Sequence, residues 1–300
     1  MITNTNPRIL GAGLACLDYI VVSPQVPWGD TAIVTEFDMQ GGGLVGTALV
    51  ACARLCAKGT LLTLLGQDNA ADLVLKEIEE EGIDTSRVTH IAGGQTAFSF
   101  VHVDYTSGER TIFHRPGSKH AEPPKIPDIK DYTVVLVDDM FLTLALATAK
   151  AAKRAGVPVV ADLGPSEGCG ALLHFVDVLI APRHFVQELG YLGKPEAALS
   201  EIHKLGPTTA VITLGSEGWL YSGPSGKGRG KAFKVDVVDT TGAGDAFHGG
   251  FAFALAQGWD TAQCCEFAAA VAAIKCTSFG GRSGLPSLEQ VEAFLKERRA

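Results

Sequence analysis

In the stretch VVDTTGAGDAFHGGFAFAL, residues 237–255, a single carboxylate, Asp245, stands where a glycine-rich turn gives way to a helical apolar period. Glycine costs a helix about 1 kcal/mol against alanine, so Gly242, Gly244, Gly249 and Gly250 at one helix start need a reason. A helix start exposes backbone N–H groups and the positive end of the helix dipole. Gly242 and Gly244 would let a ligand approach that backbone without Cβ atoms in the way, which suits a phosphate. Gly249 and Gly250 lie deeper, where close packing is the simpler account. A carboxylate repels phosphate, so Asp245 conflicts with a pure anion site. The conflict disappears if Asp245 faces a hydroxyl and takes its proton as that hydroxyl attacks the γ-phosphoryl group of a nucleotide. As a plain cap acid it would contribute about 0.5–2 kcal/mol. Residue types alone leave both readings open.

The elements that must position this turn follow an alternating rhythm. AFKVDVV, residues 232–238, reads as a strand leading into the turn. The helix after it carries Phe247, Phe251 and Leu255 on one face and stops near Gly258. Upstream, RILGAGLACLDYIVV reads as strand, glycine bend and strand, and GTLLTLLG as one short buried strand. YTVVLVD, VPVVADL, VDVLIAP and TAVITLG are β-branched runs separated by helical patterns such as LTLALATAKAAKRAG. This order predicts an α/β fold with a mainly parallel central sheet flanked by helices. Residues 14–40 and 96–115 break the rhythm. They are strand-rich without helices, TAIVTEFDMQ being one strand, and they predict a small separate sheet or edge strands of the main one. SGPSGKGRGK, 222–231, reads as a hairpin connection. Asp260 with Gln263, and Ser287 with Gln290, carry the spacing of capping boxes for the last two helices.

Bulk composition excludes several classes. The 300 residues are 46% hydrophobic with a net charge of −8, which suits a large buried core and argues against a nucleic-acid binder. No apolar run is long enough to span a membrane, and the N-terminus lacks the layout of a signal peptide. Seven irregularly spaced cysteines fit a reducing compartment, so a cytoplasmic location is expected. Cys52 and Cys56 could share a helix face, with ordinary packing favoured over a metal pair.

DTTGAGDAF resembles the C-terminal signature of the ribokinase-like carbohydrate kinases, the PfkB family. GGGLVGTALVACARL, 41–55, resembles the family's N-terminal glycine signature, GLACLDYIVV its opening strand, and TLGSEG, 213–218, its nucleotide-binding turn. The similarity runs over about residues 8–298 and implies one ribokinase-like domain over 1–300 with a small β-sheet lid from about 14–40 and 96–115. It implies an ATP- and Mg²⁺-dependent sugar kinase with Asp245 as catalytic base and Gly242, Ala243 and Gly244 as anion hole. Asp18 would bind sugar hydroxyls beside Thr47. Gly42 and Gly43 would be the hinge of the lid. Thr213, Gly215 and Gly218 would line the nucleotide pocket. Asp239 and Thr241 match part of a monovalent-cation site for K⁺, with SFGGRSG supplying carbonyls. A homodimer through the lid is implied as well.

Two departures stand out. Thr47 replaces the asparagine of ribokinases, and APRH, 181–184, stands where the family's Asn-x-x-Glu motif is expected. Both features, with AAVAAIKCTSFGGRSGLP, resemble the sulfofructose kinase branch, although Met140 stands where that branch calls for an arginine; Arg115 or Lys119 could substitute. A nucleoside kinase is a further alternative within the family. His102, His114 and Arg115 are candidates for acceptor recognition. Outside the family, GAGLAC begins like a dinucleotide fingerprint but has Cys16 at the third glycine. GPSEG, 164–168, formally matches a serine-hydrolase elbow at Ser166, with His248 completing the order. A sugar-binding protein without catalysis would have no need of Asp245.

Overall fold

The computed structural model describes all residues except 1–5, 25–28, 108, 120–124, 165–168, 192 and 300. Its strands in chain order are β1 (Arg8–Ala12), β2 (Cys16–Ser23), β3 (Glu36–Gly42), β4 (Lys58–Leu62), β5 (Leu64–Gly66), β6 (Thr89–Ile91), β7 (Phe98–Asp104), β8 (Arg110–Arg115), β9 (Val134–Asp138), β10 (Val159–Asp162), β11 (Val178–Pro182), β12 (Thr209–Thr213), β13 (Trp219–Gly223) and β14 (Gly226–Gly230). The helices are α1 (Leu44–Arg54), α2 (Asn69–Glu80), α3 (Leu142–Ala155), α4 (Cys169–Leu173), α5 (Arg183–Glu188), α6 (Pro195–Leu205), α7 (Ala243–Ala256), α8 (Thr261–Lys275) and α9 (Leu288–Arg299).

Eight strands form the main sheet in the order β14-β13-β12-β11-β10-β9-β1-β4. Pairing is parallel from β4 to β12, and β13 and β14 close that edge as an antiparallel hairpin. The parallel strands are apolar throughout because both faces are covered. Ile9, Val134 and Val211 point into the core under α1, α7 and α8, while their neighbours Leu10, Val135 and Ile212 enter the core under α3 and α6.

The rhythm-breaking segments form a separate four-stranded sheet, β3-β2-β7-β8. Its register aligns Gln40, Asp18, Ser99 and His114 in one row across all four strands. Ile20, Val22, Val101 and Val103 continue the buried face, packed on Phe279. The opposite face leaves Phe37, Met39, Phe100 and Phe113 exposed.

Three strand expectations need correction. Residues 31–35 are not strand, so β3 begins only at Glu36. GTLLTLLG is two strands: β4 pairs with β1, and after Thr63 the chain leaves the main sheet to pair as β5 with β6. Residues 232–238 form no strand. That segment has no neighbouring strand to bond; Val238 N–H instead donates to the Cys276 carbonyl beyond α8. Both capping boxes are present, at Asp260–Gln263 and Ser287–Gln290. All seven cysteines are free; Cys52 is buried in α1 and Cys56 is exposed beyond its end. Among the described residues no helix is long and apolar enough to cross a membrane.

Helix α7 is buried nearly all round, between α1 and α8. Its two inner glycines make this possible. A Cβ on Gly249 would lie 2.5 Å from the Ala48 carbonyl oxygen, and one on Gly250 would lie 3.0 Å from Ala268 Cα. Gly249→Ala is therefore expected to destabilise by about 1–3 kcal/mol through overpacking, although alanine is the better helix former. Urea unfolding checks this; a more stable variant would show that the helices are not in contact there.

Candidate active site

Helix α7 starts at the open end of the main sheet, its first turns reaching β11 at Ile180 and the carboxyl end of β10 at Asp162. In open α/β sheets this edge is where ligands bind. Gly242 caps the helix in the left-handed conformation (φ 72°), and a Cβ there would lie 2.6 Å from the Gly281 carbonyl oxygen. Its need for glycine is thus conformational and steric, set by the chain. A Cβ on Gly244 would meet nothing within 4 Å, so the open space above α7 begins at Gly244. Ala243 N–H donates to the Thr240 carbonyl at 3.2 Å.

The turn is held from behind. Fully buried Asp239 accepts from Thr241 N–H (2.8 Å) and Gly280 N–H (2.9 Å), and the buried Lys275 ammonium donates to the Asp239 carbonyl at 2.8 Å. Thr241 Oγ1 is buried without a partner. The residues do not fit a monovalent cation, because Lys275 already places an ammonium beside Asp239 that would repel it. No step is assigned to K⁺.

Asp245 sits in the first turn of α7, partly exposed at the mouth. Burial, then the neighbouring Asp162, raises its pKa to about 7; His248 and Arg110 oppose the shift, and Asp18 adds to it. Arg110 reaches in from β8, its guanidinium donating to Thr240 Oγ1 at 3.1 Å. Asp138, buried at the end of β9, is also raised to about 7 by burial, even though it accepts from Leu14 N–H (2.6 Å) and Met140 N–H (3.0 Å). Through Leu14 it fixes the crossing from β1 into the second sheet.

That sheet carries Asp18 towards Asp245. The Cys16 thiol donates to Asp18 at 3.2 Å and the Ser99 hydroxyl bonds to it as well, while burial raises its pKa. Ser99 is in turn 3.3 Å from His114 Nδ1. Gly42 packs so closely on Asp18 that a Cβ would sit 2.0 Å from Oδ2. The Thr47 hydroxyl accepts from Arg282 Nε at 3.4 Å.

Arg282 was not singled out from the sequence. It is 4% exposed and donates to the Gly42 carbonyl (2.8 Å), while its own N–H donates to Gln40 Oε1 (2.8 Å) and Glu77 lies 3.4 Å from Nη1. A charged residue between glycines, as in SFGGRSG, was the available signal. His102 instead bonds Ser23 Oγ at 2.8 Å, Arg115 lies over the Phe98 ring, and Met140 packs on the core.

The TLGSEG turn follows β12. Gly215 is exposed with open space at its Cβ position, whereas a Cβ on Gly218 would collide with the Gly230 carbonyl 2.1 Å away. Arg183, where the Asn-x-x-Glu motif was expected, opens α5 and donates to the Leu214 carbonyl at 2.9 Å, pairing also with Glu217. A cavity of about 250 Å³ lies beside this turn, lined by Arg183, Leu214, Glu217 and Arg229 among others.

The rival chemistries fare differently. Strand β1 is followed by β2 rather than a helix, so GAGLAC lacks the context of a dinucleotide site. The GPSEG serine, Ser166, lies outside the described residues. Among the described residues no group of three or more His, Cys, Asp or Glu is placed to hold a metal.

Arg282 ties the second sheet to the loop behind α7. Arg282→Met is expected to lower stability by about 1.5–3 kcal/mol, the scale of a lost charged hydrogen bond. Denaturant midpoints measure this, and an unchanged midpoint would show those bonds to be idle.

Known proteins share this fold and sequence. The pfkB family carbohydrate kinase profile matches residues 7–288. The ribokinase of Lactococcus lactis is 28% identical over 293 residues, covering 95% of this chain and 96% of that protein. An ATP-dependent ribose-1-phosphate kinase of Halopiger xanaduensis is 30% identical, covering 97% and 99%. A putative ribokinase from Agrobacterium tumefaciens superposes with a TM-score of 0.92 at 28% identity over 98% and 99% of the two chains. Arabidopsis thaliana ribokinase, solved with ribose and ATP, gives 0.84 at 25% identity over 97% and 98%. The fold, a mainly parallel sheet with a small second sheet, thus goes with the matching sequence, and the chain belongs to the pfkB family of carbohydrate kinases, phosphotransferases with an alcohol as acceptor.

Proposed function

We propose that the chain transfers the γ-phosphoryl group of ATP to a sugar hydroxyl, with Asp245 as general base. The observation that carries this reading is a carboxylate raised to about 7 in the first turn of a helix whose N-terminus opens on empty space. A base with a pKa near working pH combines a useful fraction of carboxylate with real proton affinity. The acceptor oxygen attacks the γ-phosphorus, its proton passes to the Asp245 carboxylate, and ADP leaves. The N–H groups at Gly242 and Gly244 and the helix dipole stabilise the transferring group, and Ala243 N–H joins them only by giving up the Thr240 carbonyl. Gly244 N–H is nearest the open space.

Asp18 is read as the sugar-binding acid, held by Cys16 and Ser99. The nucleotide lies along Thr213, Gly215 and Gly218, and magnesium enters with it as the MgATP substrate. Gly42 and Gly43 join β3 to α1, so they connect the second sheet to the main layer and are read as the hinge of a lid that excludes water. Thr47, bonded to Arg282, acts on the sugar through the Gly42 backbone. The exposed aromatic face of the lid is read as the face of a homodimer; a monomer in sedimentation velocity at micromolar concentration would contradict it.

Names among the relatives point to ribose and ribose 1-phosphate as acceptors. A panel of ribose, ribose 1-phosphate, fructose, sulfofructose and adenosine, with product mass analysis, discriminates among sugar, sulfosugar and nucleoside. Asp245→Asn is expected to lower kcat by about 10²–10⁴ while leaving ATP affinity unchanged. In the native enzyme kcat/KM should fall as pH drops through about 7, as Asp245 takes up a proton. Unchanged kcat in the variant, or binding of every sugar without turnover in the native chain, would refute the reading.

A further inference from the structure

His248 lies one helical turn beyond Gly244, and its side chain and that of Asp162 are 6% and 15% exposed. Its Nε2 faces the Ile180 carbonyl of β11 at 3.2 Å. Its Nδ1 faces two oxygens, the Gly244 carbonyl at 2.8 Å and Asp162 Oδ2, at the end of β10, at 3.3 Å. All three oxygens are acceptors unless Asp162 is protonated. A neutral imidazole has one N–H and one lone pair. The Ile180 carbonyl opposite Nε2 and the Gly244 carbonyl opposite Nδ1 can both only accept, so a single ring proton leaves one of them facing a lone pair; with that proton on Nε2 the unsatisfied side is Nδ1. The space between Nδ1 and its two oxygens then needs a second proton, because bare lone pairs would otherwise confront each other at bonding distance.

We propose that Asp162 and His248 Nδ1 share this proton, and that the pair is a latch holding the first turn of α7 against the ends of β10 and β11 and so positioning Asp245. The proton sits either on the carboxyl, as O–H···Nδ1, or on the ring, as Nδ1–H facing a carboxylate. In both forms the pair is neutral overall; only the ring form also lets Nδ1–H donate to the Gly244 carbonyl at 2.8 Å, so that carbonyl favours the proton on the ring. Burial supports the assignment from both sides. It raises Asp162 to about 7, with Asp139 adding to the shift, and it lowers the His248 ring against its two carbonyl contacts and Asp245. Charged groups facing the pair are Asp245 on α7 and Asp138 and Asp139 at the end of β9. Asp18 and Arg110 act on Asp245 from the second sheet.

The latch has a pH sign. Burial raises Asp162 to about 7, so the latch is closed below that pH and opens as pH rises through it. It therefore limits activity on the alkaline side, opposite to Asp245. Its effect on catalysis rests on the kinase reading; the latch itself does not.

Two substitutions separate a shared proton from simple packing. Asp162→Asn keeps a donor for Nδ1 that does not titrate. Asp162→Ala removes it. With the best acceptor of the panel, Asp162→Asn is expected to keep kcat within about threefold at neutral pH and to lose the alkaline decline of the native profile. Asp162→Ala is expected to lower kcat ten- to a hundredfold. Long-range ¹H–¹⁵N spectra of the histidines need no turnover. In the native chain and Asp162→Asn, His248 Nε2 should be protonated across neutral pH and Nδ1 should carry the signature of a hydrogen-bonded nitrogen; in Asp162→Ala the one ring proton that remains should leave either Nδ1 a free acceptor or, if it moves to face the Gly244 carbonyl, Nε2 unprotonated. A native chain inactive on every alcohol refutes the kinase reading and leaves the spectra to decide the latch. Identical signals of both ring nitrogens in the native chain and Asp162→Ala, or an alkaline limb surviving in Asp162→Asn, overturn the latch.

Discussion

A helix N-terminus attracts anions, and a carboxylate placed in its first turn competes with any phosphate that arrives there. In this chain the competition is moderated by burial. Asp245 stands close to Asp162 and within electrostatic reach of Asp18, and its proton affinity rises to about 7. A carboxylate so placed is partly neutral at working pH, which weakens its repulsion of phosphate and equips it to take a proton. Much of the surrounding structure serves to keep that turn in place.

The support comes from several directions. Asp239 and Lys275 hold the approach to α7 from behind, and the missing Cβ atoms of Gly249 and Gly250 let α7 sink between α1 and α8. Arg282 links the loop after α8 to the Gly42 carbonyl and Gln40, and thereby to the strand opposite Asp18. Asp138 fixes the backbone where β1 crosses into the second sheet. The helix that bears Asp245 and the strand that bears Asp18 thus belong to one hydrogen-bonded framework, although 227 positions separate the two acids in sequence.

Much of this was legible in the sequence where local chemistry decides. The glycine turn, the parallel strands and both capping boxes follow from short-range rules, and the missing helices in 14–40 and 96–115 marked the second sheet. What stayed hidden depends on pairing. The row Gln40, Asp18, Ser99 and His114 exists only through strand register, which no single strand encodes. GTLLTLLG reads as one apolar run, yet Thr63 divides it between two sheets. AFKVDVV has the composition of a strand, but composition does not supply a partner. Arg282 and Glu77 meet across 205 positions, beyond the reach of any local pattern. Gly242 was read as clearing space for a ligand; its Cβ position instead faces Gly281, and Gly244 alone of the two opens outward.

The most direct test is a crystal structure with a non-hydrolysable ATP analogue and the preferred sugar bound together. Asp245 should lie within about 2.6–3.2 Å of one acceptor hydroxyl, the reach of a general base, with that oxygen in line with the terminal phosphorus. An Asp245 carboxylate turned away from every acceptor oxygen, or bonded only to backbone N–H groups of its own helix, would contradict the account.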